Sequence, residues 1–394
     1  MIVDRDSLSV FPISDKVLKT ASGKIVNEIS RDSFAWSNEL VLHVIEIKTN
    51  GPASRLELLG SEFQKEVTAI AKILEDENAI LVPAAMHPWM DPYTEMKIWP
   101  HEYNPIYEAY NRIFDCRGHG WANLQSTHLN LPFSNDHEFE KLHAACRIVL
   151  PLIPALAASS PVADSEIKPF LDYRMEVYRT NSIKIPSVTG LIVPETVFSE
   201  KEYREQIFEK MYRDIAPFDP EGILQDEWLN SRGAMTRFDR KAIELRVIDI
   251  QEAPIADIAI LSLIVAVIRF LVDEKLSSLQ EQKEWSELEL YKILMDVIKE
   301  GDRARIQNRR FLSLFGFWEA EIQADRFWSD LFERIHRVEP FPDEVRNPLK
   351  IIFNDGPLAR RILNSLAGTA SRRNLENTCR ELSYCLHHGC QFVP

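Results

Sequence analysis

Three short segments alternate polar and apolar residues, and the polar positions carry groups that can bind metal ions or phosphate. In "VIEIKTN", "STHLN" and "IELRV" the residues that share a face are Glu46, Lys48 and Asn50; Ser126, His128 and Asn130; and Glu244 with Arg246. Side chains two positions apart point to the same face of a β-strand. The pattern therefore predicts three strands, each with one polar face.

If the three strands lie in one sheet, their polar faces form a common floor of carboxylate, imidazole, amide and guanidinium groups. Oxygen and imidazole ligands suit Mg²⁺ or Mn²⁺, and arginine suits phosphate or carboxylate. A solvated sheet face is the ordinary explanation for any one of these strands. Three together favour a bound ligand, because burying such groups without a partner is costly.

Two arginine-rich segments accompany these strands. "FLDYRMEVYRTNS" contains Arg174 and Arg179, and "NSRGAMTRFDRKAIELR" contains Arg232 and Arg237 just before the third strand. Arginines that converge on a carboxylate-rich strand are typical of sites that neutralise a transferring phosphoryl group. For the first segment, a surface loop with internal ion pairs is an equally good interpretation.

The composition limits the class of protein. The chain has 394 residues, is 45% hydrophobic and 27% charged, and carries a formal net charge of −14, which argues against a protein that coats nucleic acid. Its five cysteines are odd in number and scattered, so they imply no disulfide framework and fit a reducing cytoplasm. With 13 glycines, the sequence contains neither a P-loop nor a Rossmann fingerprint.

The most apolar run, 258–268, is shorter than the roughly 20 residues that a membrane span needs. We interpret it as part of a buried helix and expect no membrane partner. The N-terminal segment "MIVDRDSLSVFPISD" lacks the apolar core of a signal peptide.

Periodicity and turn residues predict the elements that position these groups. We expect strands at 39–52, 79–89, from about residue 121, and at 242–250, and helices at 54–79, at 137–161 with a break near its two prolines, and from about residue 254. This order favours an α+β fold around a mainly antiparallel sheet. Residues 1–275 would form the catalytic domain, with 276–394 a helical part packed on it. Aromatic helices in that part leave a homo-oligomer open.

Five segments, in order, resemble the bacterial type 2 glutamate–cysteine ligases, also called carboxylate–amine ligases. They are "ELVLHVIEIKTNGP", "MHPW", "QSTHLNL", "LPLIPALAASSPVADSEIKPFLDYRMEVYRTN" and "RFDRKAIELRVIDIQEAP". The similarity runs from residue 1 to about 275. It implies a glutamine-synthetase-like fold, in which an antiparallel sheet forms a funnel that holds ATP and divalent metal ions.

The implied reaction joins a carboxylate, the glutamate side chain, to cysteine or another amine through an acyl phosphate. ATP, the amino acid and the amine are the implied small-molecule partners, with Mg²⁺ or Mn²⁺ as the metal. Spacing and resemblance together give the following site: Glu39, Glu46, His128 and Glu244 for metal; His128, Asn130, Arg232 and Arg237 for the nucleotide; and Arg174, Arg179 and Arg246 for catalysis.

The sequence departs from the family pattern at one point. Family members carry a Gly-Ile-Glu-x-Glu strand whose two carboxylates bind metal, and no Glu-x-Glu precedes "MIVDRDSLSVFPISD" here. A catalytically inactive relative that binds nucleotide or amino acid is therefore one alternative. A metal-dependent hydrolase that uses His87, His128, Glu46 and Glu244 is another, although the surplus of arginines disfavours it.

Overall fold

The computed structural model describes residues 1–394 and contains twelve short strands in five antiparallel sheets. The strands are β1 (Ile2–Asp4), β2 (Glu28–Arg31), β3 (Phe34–Asn38), β4 (Ile45–Thr49), β5 (Ala79–Leu81), β6 (Ser126–Pro132), β7 (Val162–Ala163), β8 (Glu166–Ile167), β9 (Ala234–Arg237), β10 (Ala242–Asp249), β11 (Arg305–Ile306) and β12 (Ile322–Gln323). The sheets have the orders β1-β5, β2-β3-β4, β6-β10-β9, β7-β8 and β11-β12.

Helices make up most of the remaining structure. They are α1 (Ser14–Ser22), α2 (Leu59–Glu75), α3 (Pro92–Glu95), α4 (Asn104–Phe114), α5 (His119–Ala122), α6 (Asp136–Val149), α7 (Pro154–Ala157), α8 (Tyr173–Tyr178), α9 (Glu200–Tyr203), α10 (Glu209–Ile215), α11 (Pro254–Val272), α12 (Leu279–Lys283), α13 (Glu287–Glu300), α14 (Arg309–Ser313), α15 (Ala324–Val338), α16 (Asp343–Asp355), α17 (Leu358–Ser365) and α18 (Arg372–His388). The mixed fold and the antiparallel pairing that the sequence predicts are therefore confirmed.

The central sheet is built around β10. Antiparallel pairing sets Glu244 opposite Asn130 of β6 and opposite Met235 of β9. The alternate residues Ile243, Leu245 and Val247 are fully buried in the main hydrophobic core, which extends from β3 to α16. The alternation of β10 thus turns one face to the core and leaves the other for the charged residues.

The expectation that all three polar strands share one sheet is wrong. β4 pairs only with β3, in the β2-β3-β4 sheet, whereas β6 and β10 pair with each other. The strand predicted at 39–52 is also shorter, because residues 39–44 form a turn and an isolated bridge from Val41 to Ile98 before β4 begins. The periodicity of the sequence describes each strand separately and does not indicate which strands pair.

One other boundary differs from expectation for a local reason, and one predicted break is confirmed. The strand expected from about residue 121 begins at Ser126, because residues 119–122 form the short helix α5. The predicted break in the helix at 137–161 is confirmed: α6 ends at Val149, a 3₁₀ turn follows at Leu150–Leu152, and α7 starts at Pro154. Proline is favoured in the first turn of a helix and disfavoured in its interior.

The apolar helix α11 lies in the core, as predicted. Its 19 residues give it the length and composition of a membrane span, but 72% of its apolar window is buried inside the protein. It packs against α2, α6 and α16, so the apolar surface is covered by the fold itself.

Asp257, in the first turn of α11, connects this helix to the central sheet. Its Oδ1 accepts hydrogen bonds from the Thr127 hydroxyl of β6 at 2.5 Å and from the Gln251 amide at 3.1 Å. Burial raises the pKa of Asp257 to about 7. The carboxyl is therefore held in place by acceptor contacts while its charged form is disfavoured.

We expect Asp257→Asn to flatten the pH dependence of stability. Because the pKa of Asp257 is about 7 in the folded protein against an ordinary 3.8, the folded state binds the extra proton, and stability is lost as the pH rises from about 4 to about 7. The asparagine keeps the Oδ1 acceptor and cannot titrate. The unfolding free energy of the variant relative to the parent should therefore increase over this range, by up to about 4 kcal/mol.

Urea unfolding at pH 5, 6, 7 and 8 checks this expectation. Asp273→Asn, at the exposed C-terminal end of the same helix, is the control. A difference between Asp257→Asn and the parent that does not change with pH would contradict the prediction.

Candidate functional site

The polar face of the central sheet forms the floor of the candidate site. Glu244 accepts a hydrogen bond from Arg246 Nε at 2.6 Å, and its Oε1 lies 3.4 Å from His128 Nδ1. Nε2 of His128 lies 2.9 Å from the Ser126 hydroxyl. Asn130, directly across from Glu244, is exposed. The strand register therefore brings four predicted residues of β6 and β10 together.

The charged groups of this floor shift one another's pKa values. Burial alone would raise the pKa of Glu244, but the Arg246 guanidinium and His128 lower it to about 2. Burial lowers the pKa of His128, with Arg246 acting in the same direction and Glu244 opposing it. At neutral pH the floor therefore contains an ionised Glu244–Arg246 pair beside an imidazole that is mainly neutral.

The β2-β3-β4 sheet contributes a second wall. Glu46 on β4 lies across from Ser37 on β3, whose hydroxyl donates to it at 2.5 Å. Lys48 Nζ lies 3.1 Å from Glu46 and 2.8 Å from Glu28 on β2. Against the effect of burial, these carboxylates raise the pKa of Lys48. This wall is partly exposed and carries both signs of charge.

Glu39 interacts electrostatically with charged groups of both the wall and the floor. Burial and the charge of Glu46 raise the pKa of Glu39 to about 7, while Arg246 and Lys48 act in the opposite direction. Glu46 in turn raises the pKa of His128 against the larger effect of burial. The two sheets, although not hydrogen-bonded to each other, are therefore close enough for their charged groups to interact, and the region between them is here called the cleft.

Helix α4 lies beside both sheets and carries an aromatic stripe that the strand-based analysis missed. Burial and the charge of Glu39 raise the pKa of Tyr107 to about 12, and Asn38 donates to its hydroxyl at 2.9 Å. One turn later, Tyr110 lies close enough to Arg246 for that cation to oppose the effect of burial on its pKa. The signal was present in "YNPIYEAYNRIF", where aromatic residues recur at spacings of four, three and four.

Arg174 lies beneath the floor rather than in the cleft. Its guanidinium forms a fully buried ion pair with Asp249 and donates to the Arg246 carbonyl oxygen at 3.2 Å. Asp249 also accepts hydrogen bonds from the Ser159 amide and the Ser160 hydroxyl, both at 2.8 Å. The structure thus places Arg174 where it fixes the backbone at Arg246.

The other predicted arginines each form an ion pair with a carboxylate of the protein, and the pairs differ in burial. Arg179, just after α8, forms a bidentate pair with Glu176 of that helix, and Arg232 is buried in a bidentate pair with Glu195. Arg237 pairs with Asp239, and both Glu244 and Asp226 raise its pKa against the effect of burial. Arg237 is therefore the one of these three that lies beside the floor.

The metal ligands expected from sequence lie around the cleft without forming a closed coordination sphere. No group of three or more His, Cys, Asp or Glu side chains is arranged to hold an ion. His87, expected in the hydrolase alternative, is buried, with Nε2 2.8 Å from the Leu8 carbonyl oxygen, and its charged neighbours are His43, Arg372 and the N-terminus. The structure therefore does not bring His87 to this site.

Comparison with known proteins identifies the family. A sequence model described as glutamate-cysteine ligase family 2 (GCS2) matches residues 1–315. The chain belongs to this family. A protein of Archaeoglobus fulgidus with no assigned function is 30% identical over 394 aligned positions, which cover 98% of this chain and 96% of that protein.

A solved structure has a similar fold. The glutamate–cysteine ligase of Francisella tularensis, crystallised in complex with AMP, superposes with a TM-score of 0.58 at 13% identity, over 98% of this chain and 87% of that one. At this identity the comparison shows a shared fold. Family membership and fold together support a carboxylate–amine ligase, and the match to residue 315 includes β11 and α14, beyond the boundary expected at 275.

The contrast between Arg174 and Arg179 gives a direct test of their placement in this GCS2 chain. Arg174→Met leaves Asp249 buried without its cation, so we expect the unfolding free energy to fall by about 3–5 kcal/mol. Arg179→Met removes a pair that is 30% exposed on the arginine side, for which we expect a loss below about 1 kcal/mol. Urea unfolding measures both. Equal, small losses would show that Arg174 does not form the buried pair.

Proposed function

We propose that this protein is an ATP-dependent ligase that joins the side-chain carboxylate of glutamate to cysteine or another amine through an acyl phosphate. The observation that carries the proposal is the proximity of the Glu39–Glu46–Lys48 wall to the Glu244–Arg246 floor, since Arg246 acts electrostatically on Glu39 and Glu46 on His128. The two sheets and α4 would then correspond to the funnel that the sequence resemblance implies.

In the proposed reaction, a carboxylate oxygen of the substrate attacks the γ-phosphorus of ATP and ADP leaves. The amine then attacks the acyl carbon, phosphate leaves, and the amine proton passes to a base. Arg246 and Lys48 are the cations of the cleft that are partly exposed, at 22% and 39% of the side chain. They would neutralise the charge that develops on the transferring phosphoryl group.

The donor set is compatible with Mg²⁺ or Mn²⁺. Burial, and after it the charge of Glu46, raises the pKa of Glu39, and a cation between the two carboxylates would stabilise their charged forms. Mg²⁺ commonly takes one or two protein carboxylates and completes its shell with water and phosphate oxygens, so a closed protein cage is not required. Glu39 and Glu46 would hold the ion, with Glu244 and His128 nearby. The ion would neutralise phosphate charge and help to orient the nucleotide.

His128 and Asn130 would lie on the nucleotide side of the cleft, as the resemblance implies. Both belong to the exposed face of β6, where a ligand can reach them. The AMP bound to the Francisella tularensis ligase is consistent with a nucleotide here. A cytoplasmic location and a homo-oligomer remain predictions.

An ADP-release assay tests the proposed function. With Mg-ATP, glutamate and a panel of amines that includes cysteine, ADP should form only when carboxylate and amine are both present. ADP release that needs no amine would indicate hydrolysis. Nucleotide binding by calorimetry without turnover would indicate the inactive relative. Either result would contradict the ligase.

We expect Arg246→Met to lower kcat by roughly 100- to 1000-fold, because it removes a preorganised donor at the transferring group. Arg240→Met, in the β9-β10 turn, is the matched control, since Arg240 is 64% exposed and its carboxylate neighbour is Asp239 rather than Glu244. The control should retain the activity of the parent. A thermal melt of both variants separates catalysis from folding. Unchanged kcat in a folded Arg246→Met variant would remove Arg246 from the mechanism.

We expect Glu46→Gln to raise the Mg²⁺ concentration needed for half-maximal activity at least about tenfold. Glu28→Gln is the control, because Glu28 contacts the same Lys48 but lies on β2, which β3 separates from the β4 strand of Glu46. Titration of Mg²⁺ into EDTA-treated protein measures the effect. The same Mg²⁺ requirement in both variants would mean that Glu46 does not hold the ion.

A further inference from the structure

An aromatic cluster stands beside Arg246 at one side of the cleft. It consists of Tyr110 and Phe114 of α4, Trp121 of α5 and Trp228, which lies in a 3₁₀ turn at Glu227–Leu229. Tyr110 is the centre: its ring centroid lies 5.3 Å from that of Trp121 and 5.9 Å from that of Trp228. Phe114 stacks on Trp121 at 5.6 Å.

Specific contacts hold this cluster against the catalytic floor. Gly120 lets α5 approach α8 closely, because a Cβ there would come within 2.9 Å of the Val177 carbonyl oxygen. The Trp121 indole then donates to the Asn181 carbonyl at 3.1 Å. On the other side, Tyr178 interacts with Arg246 and donates to the Ser231 carbonyl at 2.9 Å.

The rings of this cluster are more exposed to solvent than the tryptophan rings of the core. Trp36, Trp99, Trp285 and Trp328 are at most 1% exposed. All four rings of the cluster, by contrast, are only partly buried. Large rings that remain partly exposed beside a charged cleft are typical of ligand pockets, which combine aromatic walls with a few polar anchors.

We propose that Tyr110, Trp121 and Trp228 form a wall that binds a planar ring of a ligand whose anionic end reaches Arg246. This rests on the proposed function and adds the chemical class of a ligand to it. A ring on the wall gains dispersion and quadrupole contacts, while the guanidinium binds the phosphate or carboxylate. Two ligands have this chemistry: a nucleotide, through its base, and an aromatic amino acid that serves as the amine.

Calorimetric titration of the full chain separates these sources without turnover. The probes are AMP with ribose 5-phosphate as its ring-free counterpart, and L-phenylalanine with L-alanine as its ring-free counterpart. We expect Trp228→Leu to weaken binding of at least one ring-bearing probe by roughly 5- to 100-fold. Binding of the matching ring-free probe should not change. Trp228→Phe, which keeps a ring, should retain most of the affinity.

Trp318→Leu is the control for loss of an indole, because Trp318 is 69% exposed in the segment between α14 and β12. An effect confined to AMP assigns the wall to the base, and one confined to L-phenylalanine assigns it to the substrate. Ring-bearing probes that bind Trp228→Leu as tightly as the parent overturn the proposal. Equal loss for ring-free probes also overturns it, since the role would then be structural.

Failure of this proposal is distinguishable from failure of the ligase function. Binding of AMP or L-phenylalanine that depends on Trp228, without ADP formation, would support the aromatic wall and contradict the ligase function. ADP formation with unchanged KM values in a folded Trp228→Leu variant would support the ligase function and contradict the aromatic wall.

Discussion

The antiparallel pairing of β10 with β6 and β9 is the constraint on which the rest of the site depends. Because strand side chains alternate, the burial of Ile243, Leu245 and Val247 in the main core forces Glu244 and Arg246 to the opposite face. A shift of register by one residue would turn both charges into the apolar core and turn the apolar set away from it. The hydrophobic effect that stabilises the core therefore also fixes where the ionic chemistry occurs.

Buried ion pairs then fix the C-terminal end of β10. Arg174–Asp249 lies under the end of β10, and Arg361 of α17 pairs with Glu252 just after that strand, both partners being fully buried. Such pairs contribute little net stability relative to apolar side chains of the same volume, but losing one partner is costly. Their consequence here is geometric, because they connect both α8 and α17 to the strand that carries Glu244 and Arg246.

The sequence predicted what depends on local pattern. Alternation in "STHLN" and "IELRV" identified β6 and β10, and prolines marked the break between α6 and α7. It could not predict which strands pair, so β4 was placed in the wrong sheet. Nor could it predict that Arg174 and Arg232 are satisfied internally, because their partners Asp249 and Glu195 lie 75 and 37 residues away. The pair of Arg179 with Glu176 agrees with the internal ion pairs that were one interpretation of that segment. The stripe of α4 was readable, but only the fold shows that it lies beside both sheets.

The charge balance of the cleft suggests how its ligands depend on one another under the proposed function. Glu244 is bonded to Arg246, and Glu46 to Lys48. A polyphosphate that recruits Arg246 and Lys48 must compete with these carboxylates, and would leave Glu46 and Glu244 in need of a new cation. A divalent metal that binds those carboxylates would in turn release the two cations for phosphate. Because such coupling is reciprocal, nucleotide and metal should each strengthen the binding of the other. The internal Glu244–Arg246 and Glu46–Lys48 pairs would thereby favour joint binding of both ligands over binding of either ligand alone.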